Sequence, residues 1–235
     1  MYSSPDMNHV NVKQLFGDIS GTYDLLNRVL SFGTDKKWRR KAVQLLPHGP
    51  KTRVLDLATG TLDLSLHYLE QGPGEIYGVD IAHPMLLHGL TKVPPTLDSR
   101  LHLVCGDGMH LPFPNGFFDA AMCGYGMRNL PDNHQGLMEL SRVLKPSAPL
   151  LLLEFFRPQT IIAKLFAETY GKFVIPTVGR WISGNKEAYR YLHESVNGFY
   201  SLKEYKQLLQ EEGFAVTKSK NLTGGISSFI LAQRQ

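Results

Sequence analysis

Cysteine is scarce in this chain and long apolar runs are missing. Of 235 residues only Cys105 and Cys123 are cysteine. That is too few for a disulfide scaffold and points to a reducing compartment. No stretch approaches the roughly 20 apolar residues that cross a bilayer, and the longest, Pro149 to Phe156, carries Glu154. Near the start, Asp6, Asn8 and Asn11 stand where a secretory signal needs an apolar core. The expectation is a cytoplasmic protein, at most peripheral on the inner face of the membrane. A large excess of one charge is also lacking, since 25 Lys and Arg against 21 Asp and Glu leave +4. The densest basic run is Lys36-Lys37-Trp38-Arg39-Arg40-Lys41. It is not the concentrated stripe of a nucleic-acid binder, so no nucleic-acid partner is expected. It reads first as a solvated helix face, and second as a patch for anionic lipid headgroups or an acidic ligand.

What is present is ordinary globular composition, with 43% hydrophobic, 20% charged and 10% aromatic residues. This excludes a disordered, collagen-like or coiled-coil chain. Strand-like apolar runs recur at Arg53–Leu57, Glu75–Val79, Leu101–Cys105, Phe118–Cys123 and Leu150–Phe155. Helical patterns at Leu62–Gln71, Pro84–Lys92 and Asp132–Leu144 lie between them. Such alternation, with apolar rather than alternating strands, predicts an α/β fold with a parallel sheet covered on both faces. Two last runs, Phe214–Ser219 and Ile226–Ala232, are joined so briefly that they must be antiparallel. The sheet therefore has seven strands. One domain over 1–235 is expected, with an N-terminal helical segment at 1–50 and a helical insert or lid at 160–197. In the N-terminal segment Thr34-Asp35 starts a helix that puts Trp38, Ala42, Val43 and Leu46 on one face. Ser201–Glu212 reads as a helix ended by Gly213.

The segment after the first strand is Asp56-Leu57-Ala58-Thr59-Gly60-Thr61-Leu62-Asp63. A dinucleotide site would want Gly-x-Gly-x-x-Gly here, but only Gly60 is present, with Ala58 and Leu62 at the alternate positions. The loop instead carries acids, which suit a cationic ligand better than two phosphates. S-adenosylmethionine, with a sulfonium and an ammonium, is such a ligand. Asp80 ends the second strand beside Ile81, placed to accept hydrogen bonds from both ribose hydroxyls. Asp107, in Cys105-Gly106-Asp107-Gly108, follows the third strand and is placed for the adenine amino group. A lone acid at a strand end is usually a cap or turn former. Three after three successive parallel strands lie along one edge. No metal is expected: His102 and Cys105 are three apart and face opposite sides of a strand.

These residues resemble a class I S-adenosylmethionine-dependent methyltransferase, of Rossmann-like fold. The segment from Tyr23 to Gly33 followed by Trp38-Arg39 is similar to the N-terminal signature of the ubiquinone/menaquinone biosynthesis C-methyltransferases. So are Leu111-Pro112-Phe113-Pro114, Gly126-Met127-Arg128-Asn129, Arg142-Val143-Leu144-Lys145-Pro146, Leu153-Glu154-Phe155 with Pro158, and Tyr189 through Ser195. The ordered set covers nearly the whole chain. The resemblance implies Thr61, Asp80, Asp107 and Gly108 as cofactor contacts, with Gly124 lining the pocket; Asp56, Ala58, Gly60 and Ile81 complete the expected set. Three departures stand out. Leu62 replaces a small residue and would crowd the methionine part. Ser147-Ala148-Pro149 replaces a glycine pair, and no histidine lies near the C-terminal hairpin.

The resemblance further implies methylation of a ring carbon of a prenylated quinol. A ring carbon is a poor nucleophile until a neighbouring hydroxyl, of pKa about 10, loses its proton. Arginine stays protonated, so Arg128 is expected to hold the phenolate or a water, with a buried ion pair as its alternative role. Asn129 would orient a hydroxyl. Tyr189 and His193 share a helix face and join Glu154 and Asp24 as candidate bases, and Tyr23 would close the pocket mouth. The apolar insert Thr160–Ser183 reads as a lid over the prenyl tail that also touches the bilayer, with buried core as the alternative. A homodimer is left open. Two other functions compete: a methyltransferase of this fold acting on another small phenolic or natural product, and a non-catalytic subunit that keeps the fold for assembly.

Overall fold

The computed structural model describes residues 12–31, 33–159, 186–222 and 227–235. The seven strands are β1 (Arg53–Leu57), β2 (Glu75–Asp80), β3 (Leu101–Cys105), β4 (Ala120–Gly124), β5 (Pro149–Glu154), β6 (Phe214–Leu222) and β7 (Ser227–Arg234). They form one sheet in the order β3-β2-β1-β4-β5-β7-β6. Pairing is parallel from β3 to β5, and β7 pairs antiparallel with both β5 and β6. This is the mostly parallel sheet with an antiparallel C-terminal hairpin that the strand spacing predicts.

Helices cover both faces. On one side α2 (Thr34–Val43) and α3 (Asp63–Leu69) bring Trp38, Ala42, Val43, Leu64 and Tyr68 against Val54, Ile76, Met122 and Leu151. On the other, α6 (Asn133–Val143) and α8 (Leu202–Glu211) pack Leu137, Leu140, Tyr205 and Leu208 on Leu55, Leu57, Cys123 and Leu152. Successive strand residues point to opposite faces, so apolar residues run on along these strands, and Asp56 joins Val54 on the α2–α3 side. The long α1 (Val12–Leu30) lies against α4 (His83–Leu90) and α7 (Lys186–Gly198), and a short α5 (Pro95–Asp98) precedes β3. As the sequence predicts, α8 is stopped by Gly213, at φ 80°. Its start is a capping box, in which Ser201 and Glu204 satisfy each other's backbone amides.

Most element ends shift by one or two residues from expectation, and the shifts at β4 and at the hairpin have a clear cause. β4 begins at Ala120 rather than Phe118. The Phe118 amide donates to Val143 and its carbonyl accepts from Lys145, so Phe118 is drawn to the end of α6 instead of to β1. The hairpin strands are longer than their apolar stretches, because β6 continues through polar Lys218 to Asn221 as an edge strand, with a register shift between Val216 and Lys218. Of the expected helical insert or lid at 160–197, residues 160–185 lie outside the described residues and 186–197 fall in α7.

Candidate active site

Strand order reverses between β1 and β4, and ligands of open α/β sheets bind in the crevice outside such a reversal. The loop after β1 holds three left-handed residues, Ala58 (φ 53°), Gly60 (φ 57°) and Leu62 (φ 68°). It is lashed to β2. The Thr59 amide donates to Val79 at 3.1 Å, and the Gly60 amide donates to Asp80 Oδ2 at 2.8 Å. Asp80 Oδ1 accepts from the Ala82 amide at 2.8 Å. One carboxylate thereby sets the spacing of two loops, and burial raises its pKa. Asp56 is fully buried. Its Oδ2 accepts from Thr59 Oγ1 at 2.7 Å and Ser65 Oγ at 2.6 Å. Its Oδ1 is buried with no partner among the described residues. Burial pushes this carboxyl up to about 6, while the two hydroxyls and Arg39 pull the other way.

Thr61 Oγ1 donates to Asp24 Oδ1 at 2.5 Å, and Lys92 Nζ lies 2.6 Å from both Asp24 Oδ2 and Asp63 Oδ1. Both Asp24 oxygens are thus engaged in fixing α1 to the β1 loop, which does not suit Asp24 to the role of base. Leu62, expected to crowd the methionine part, turns toward α4: a Cβ on Gly89 would stand 2.5 Å from Leu62 Cγ. Asp107 closes its own turn, Oδ1 accepting from the Met109 amide at 2.9 Å. Gly108 follows it, and a Cβ there would meet Leu57 Cδ1 at 2.8 Å. Ile81 is 45% exposed beside Asp80. At the end of β4 a Cβ on Gly126 would stand 2.4 Å from that of Ala58, so the β1 and β4 loops touch only because residue 126 is glycine. The fold therefore brings Asp56, Ala58, Gly60, Thr61, Asp80 and Gly124 to one edge of the sheet.

On the far side of the crevice Arg128 and Glu154 form a buried ion pair. Arg128 Nη1 donates to Glu154 Oε1 at 2.7 Å and to the Tyr125 carbonyl at 2.5 Å. Glu154 also accepts from the amides of Phe155 at 2.8 Å and Arg128 at 3.3 Å. Every bond to Glu154 holds it in place, which does not suit it to the role of base either. The guanidinium keeps its charge, and its Nε is buried without a partner among the described residues. Asn129 accepts at Oδ1 from the Tyr191 hydroxyl at 3.0 Å. Tyr191 is buried, and burial pushes its phenol up to about 12. His193 does not join this group: it is half-buried with Asn197 at 3.0 Å, two residues and so roughly 200° around α7 from Tyr191. The side chain of Tyr189 lies outside the described residues. Tyr23 sits edge-on to Phe16 at 5.9 Å, and Phe16 edge-on to Tyr191 at 6.2 Å.

Sequence reasoning passed over Tyr191 and Arg39. Tyr191 stands in the same motif as Tyr189, but choosing between them requires knowing which face of α7 packs on Asn129. Arg39 stands both in the Trp38-Arg39 pair of the N-terminal signature and in a basic run that reads as a solvated helix face. A signal was there, since it lies three and four residues before Ala42 and Val43 and shares their buried face. Among the described residues no group of three His, Cys, Asp or Glu is placed to hold a metal ion, and no helix is long and apolar enough to cross a membrane.

Residues 4–234 match the ubiE/COQ5 methyltransferase family. The chain is 42% identical over 221 residues to the demethylmenaquinone methyltransferase of Thermus thermophilus, covering 94% of this chain and 100% of that one. It is 37% identical over 226 residues to the ubiquinone/menaquinone biosynthesis C-methyltransferase UbiE of Geobacter sulfurreducens, covering 95% and 88%. Among solved structures, a SAM dependent methyltransferase from Aquifex aeolicus superposes with a TM-score of 0.57 at 18% identity, over 80% of this chain and 85% of that one.

Proposed function

The chain belongs to the ubiE/COQ5 methyltransferase family, and from that premise we propose that it is an S-adenosylmethionine-dependent C-methyltransferase whose acceptor is a prenylated quinol. The observation that carries the acceptor is the near-full-length likeness to relatives named for demethylmenaquinone and for ubiquinone/menaquinone biosynthesis.

The residues present fit the cofactor. When bound, S-adenosylmethionine supplies a sulfonium methyl group for transfer. Its ammonium needs a buried acceptor, and Asp56 Oδ1 is a buried oxygen without a partner among the described residues. Asp80 holds the loops with one lone pair on each oxygen, which leaves a second pair on each for the ribose hydroxyls. Asp107 and Gly108 take the adenine end, and Ala58, Gly60, Thr61, Ile81 and Gly124 shape the channel between.

On the acceptor side Asn129, held by Tyr191, orients a ring hydroxyl. Arg128, fixed by Glu154, faces the phenolate oxygen with its unpaired N–H. A cation at that oxygen favours the ionised ring, whose carbon is the better nucleophile, and fixing the ring adds alignment. Tyr191 keeps its proton at neutral pH and acts as a donor, not a base.

The exposed Lys36, Lys37, Arg40 and Lys41 on α2 support work at an anionic membrane surface, where a prenylated quinol resides. The deciding assay presents demethylmenaquinol and a demethylated ubiquinol precursor side by side with S-adenosylmethionine, in liposomes. Methylated product from either is the expected result, and the ratio gives the ring preference. Cofactor binding without methylation of either ring would point to another phenolic acceptor.

A further inference from the structure

Arg39 is 5% exposed, and a buried guanidinium without a close anion is costly. The nearest acid, Asp35, is one turn away on the same helix, and Asp35 Oδ2 stays 3.8 Å from Arg39 Nε. A settled charge-assisted bond would be about 2.8 Å. Both atoms are buried without a hydrogen-bond partner among the described residues. The guanidinium also lies over the Tyr125 ring, 5.2 Å from its centre, which restrains the plane but neutralises nothing. Its tip reaches the end of β4: Nη1 is 3.7 Å from where a Cβ on Gly124 would be. Asp56 and Asp63 are both close enough to interact with it electrostatically. Asp63 is already bridged by Lys92, and Asp56 is occupied on one oxygen by Thr59 and Ser65.

The crevice thus presents an under-paired buried anion, Asp56, and an under-paired buried cation, Arg39, on the same side of the sheet beside a residue with no side chain. A ligand end carrying both charges would satisfy both. We propose that Arg39 is the counter-ion of the carboxylate at the amino-acid end of S-adenosylmethionine, with Asp56 on the ammonium of that same end. This rests on the cofactor reading above. It adds a second charged anchor, contributed by α2, to a site otherwise built from strand ends, and it accounts for a basic residue of a surface run being drawn inside.

The test uses the full chain and calorimetric binding of two stable ligands, S-adenosylhomocysteine and 5′-methylthioadenosine. The second lacks the amino-acid end. Arg39→Met should weaken the first by about 10- to 150-fold, the loss of one charged hydrogen bond, and leave the second within about twofold. Arg39→Lys, which keeps the charge but not the fork, should fall between. For wild-type protein, decarboxylated S-adenosylmethionine should bind more weakly than S-adenosylmethionine, and Arg39→Met should not weaken it further. Equal weakening of S-adenosylhomocysteine and 5′-methylthioadenosine, or no weakening of either, overturns the assignment while the cofactor reading stands. If Arg39→Met does not fold, Arg39→Lys and the wild-type comparison decide: equal wild-type affinity with and without the carboxylate overturns it. Wild-type protein that binds none of these ligands would overturn the cofactor reading, and this proposal with it.

Discussion

Leu62 occupies the space that Gly89 leaves open on α4: a Cβ on Gly89 would stand 2.5 Å from Leu62 Cγ and 2.9 Å from its Cδ1. Leu62 is fully buried and adopts φ 68°, a conformation that costs a residue with a side chain of order 1–3 kcal/mol. Burial of the leucine against the glycine offsets that strain, and it turns the side chain away from the loop's ligand face.

That contact sets the first expectation. Gly89→Ala gains about 1 kcal/mol of helix propensity but forces an overlap costing about 1–3 kcal/mol, so the variant should be less stable. Leu62→Ala alone should cost about 2–5 kcal/mol. The double variant should lose less than the sum, because alanine at 62 vacates the space that alanine at 89 enters. Urea unfolding measures all three. Additive losses would remove the contact from the account.

Asp56 gives a pH-dependent expectation. Its folded pKa is raised from 3.8 to about 6. The stability this group contributes is therefore full below about pH 4 and is lost as pH rises to 6, by up to about 3 kcal/mol at 1.36 kcal/mol per pKa unit. Asp56→Asn keeps an acceptor for Thr59 and Ser65 without the charge. Cofactor-free protein carrying it should be more stable than wild type at pH 8 and no more stable at pH 4, yet bind S-adenosylmethionine at least about tenfold more weakly, one buried charged bond being worth about 1.5–3 kcal/mol. Thermal melts at the two pH values, with calorimetry, check both halves. A variant less stable than wild type at pH 8 contradicts the burial argument.

The Arg128–Glu154 pair, at 2.7 Å with side chains 4% and 1% exposed, should behave as a unit. Glu154→Gln strands a buried cation and should cost about 3–5 kcal/mol. Adding Arg128→Met should restore part of that stability and none of the methyl transfer. Denaturant melts and a turnover assay separate the two readouts. If the double variant is the less stable by the full cost of each change, the pair is not coupled.

Tyr191→Phe removes the hydroxyl that donates to Asn129 at 3.0 Å. Turnover should drop while affinity for S-adenosylmethionine is unchanged. Because burial pushes this phenol up to about 12, the shape of the pH–rate profile between pH 6 and 9 should not alter. His193→Ala should leave the rate near wild type. A changed profile in Tyr191→Phe would make the phenol a proton carrier, and a large rate loss in His193→Ala would put the histidine back at the site.

The strands, the alternation and the acids at the strand tips were legible because they are local. A parallel strand buried on both faces is an apolar run, and its last residues lie at the sheet edge wherever the strand sits, so Asp56, next to last in β1, and Asp80, last in β2, could be placed together by number alone. The Thr34–Val43 helix and the Gly213 stop were legible for the same reason, as caps and periodicity act within a few residues. Choices among helix faces and loop directions were not legible. Tyr191, not His193, reaches Asn129 because α7 presents that side to the β4 turn. Arg39 shares the inward face of Ala42 and Val43, but that its guanidinium lies over Tyr125 is decided by α2 packing on α3 and against β5. Leu62 turns toward α4 because Gly89 leaves room for it there. Arg128 meets Glu154 across 26 residues and Lys92 meets Asp24 across 68. Periodicity says how side chains are spaced around an element. What each one meets depends on which distant element the topology sets beside it, and only the folded chain decides that.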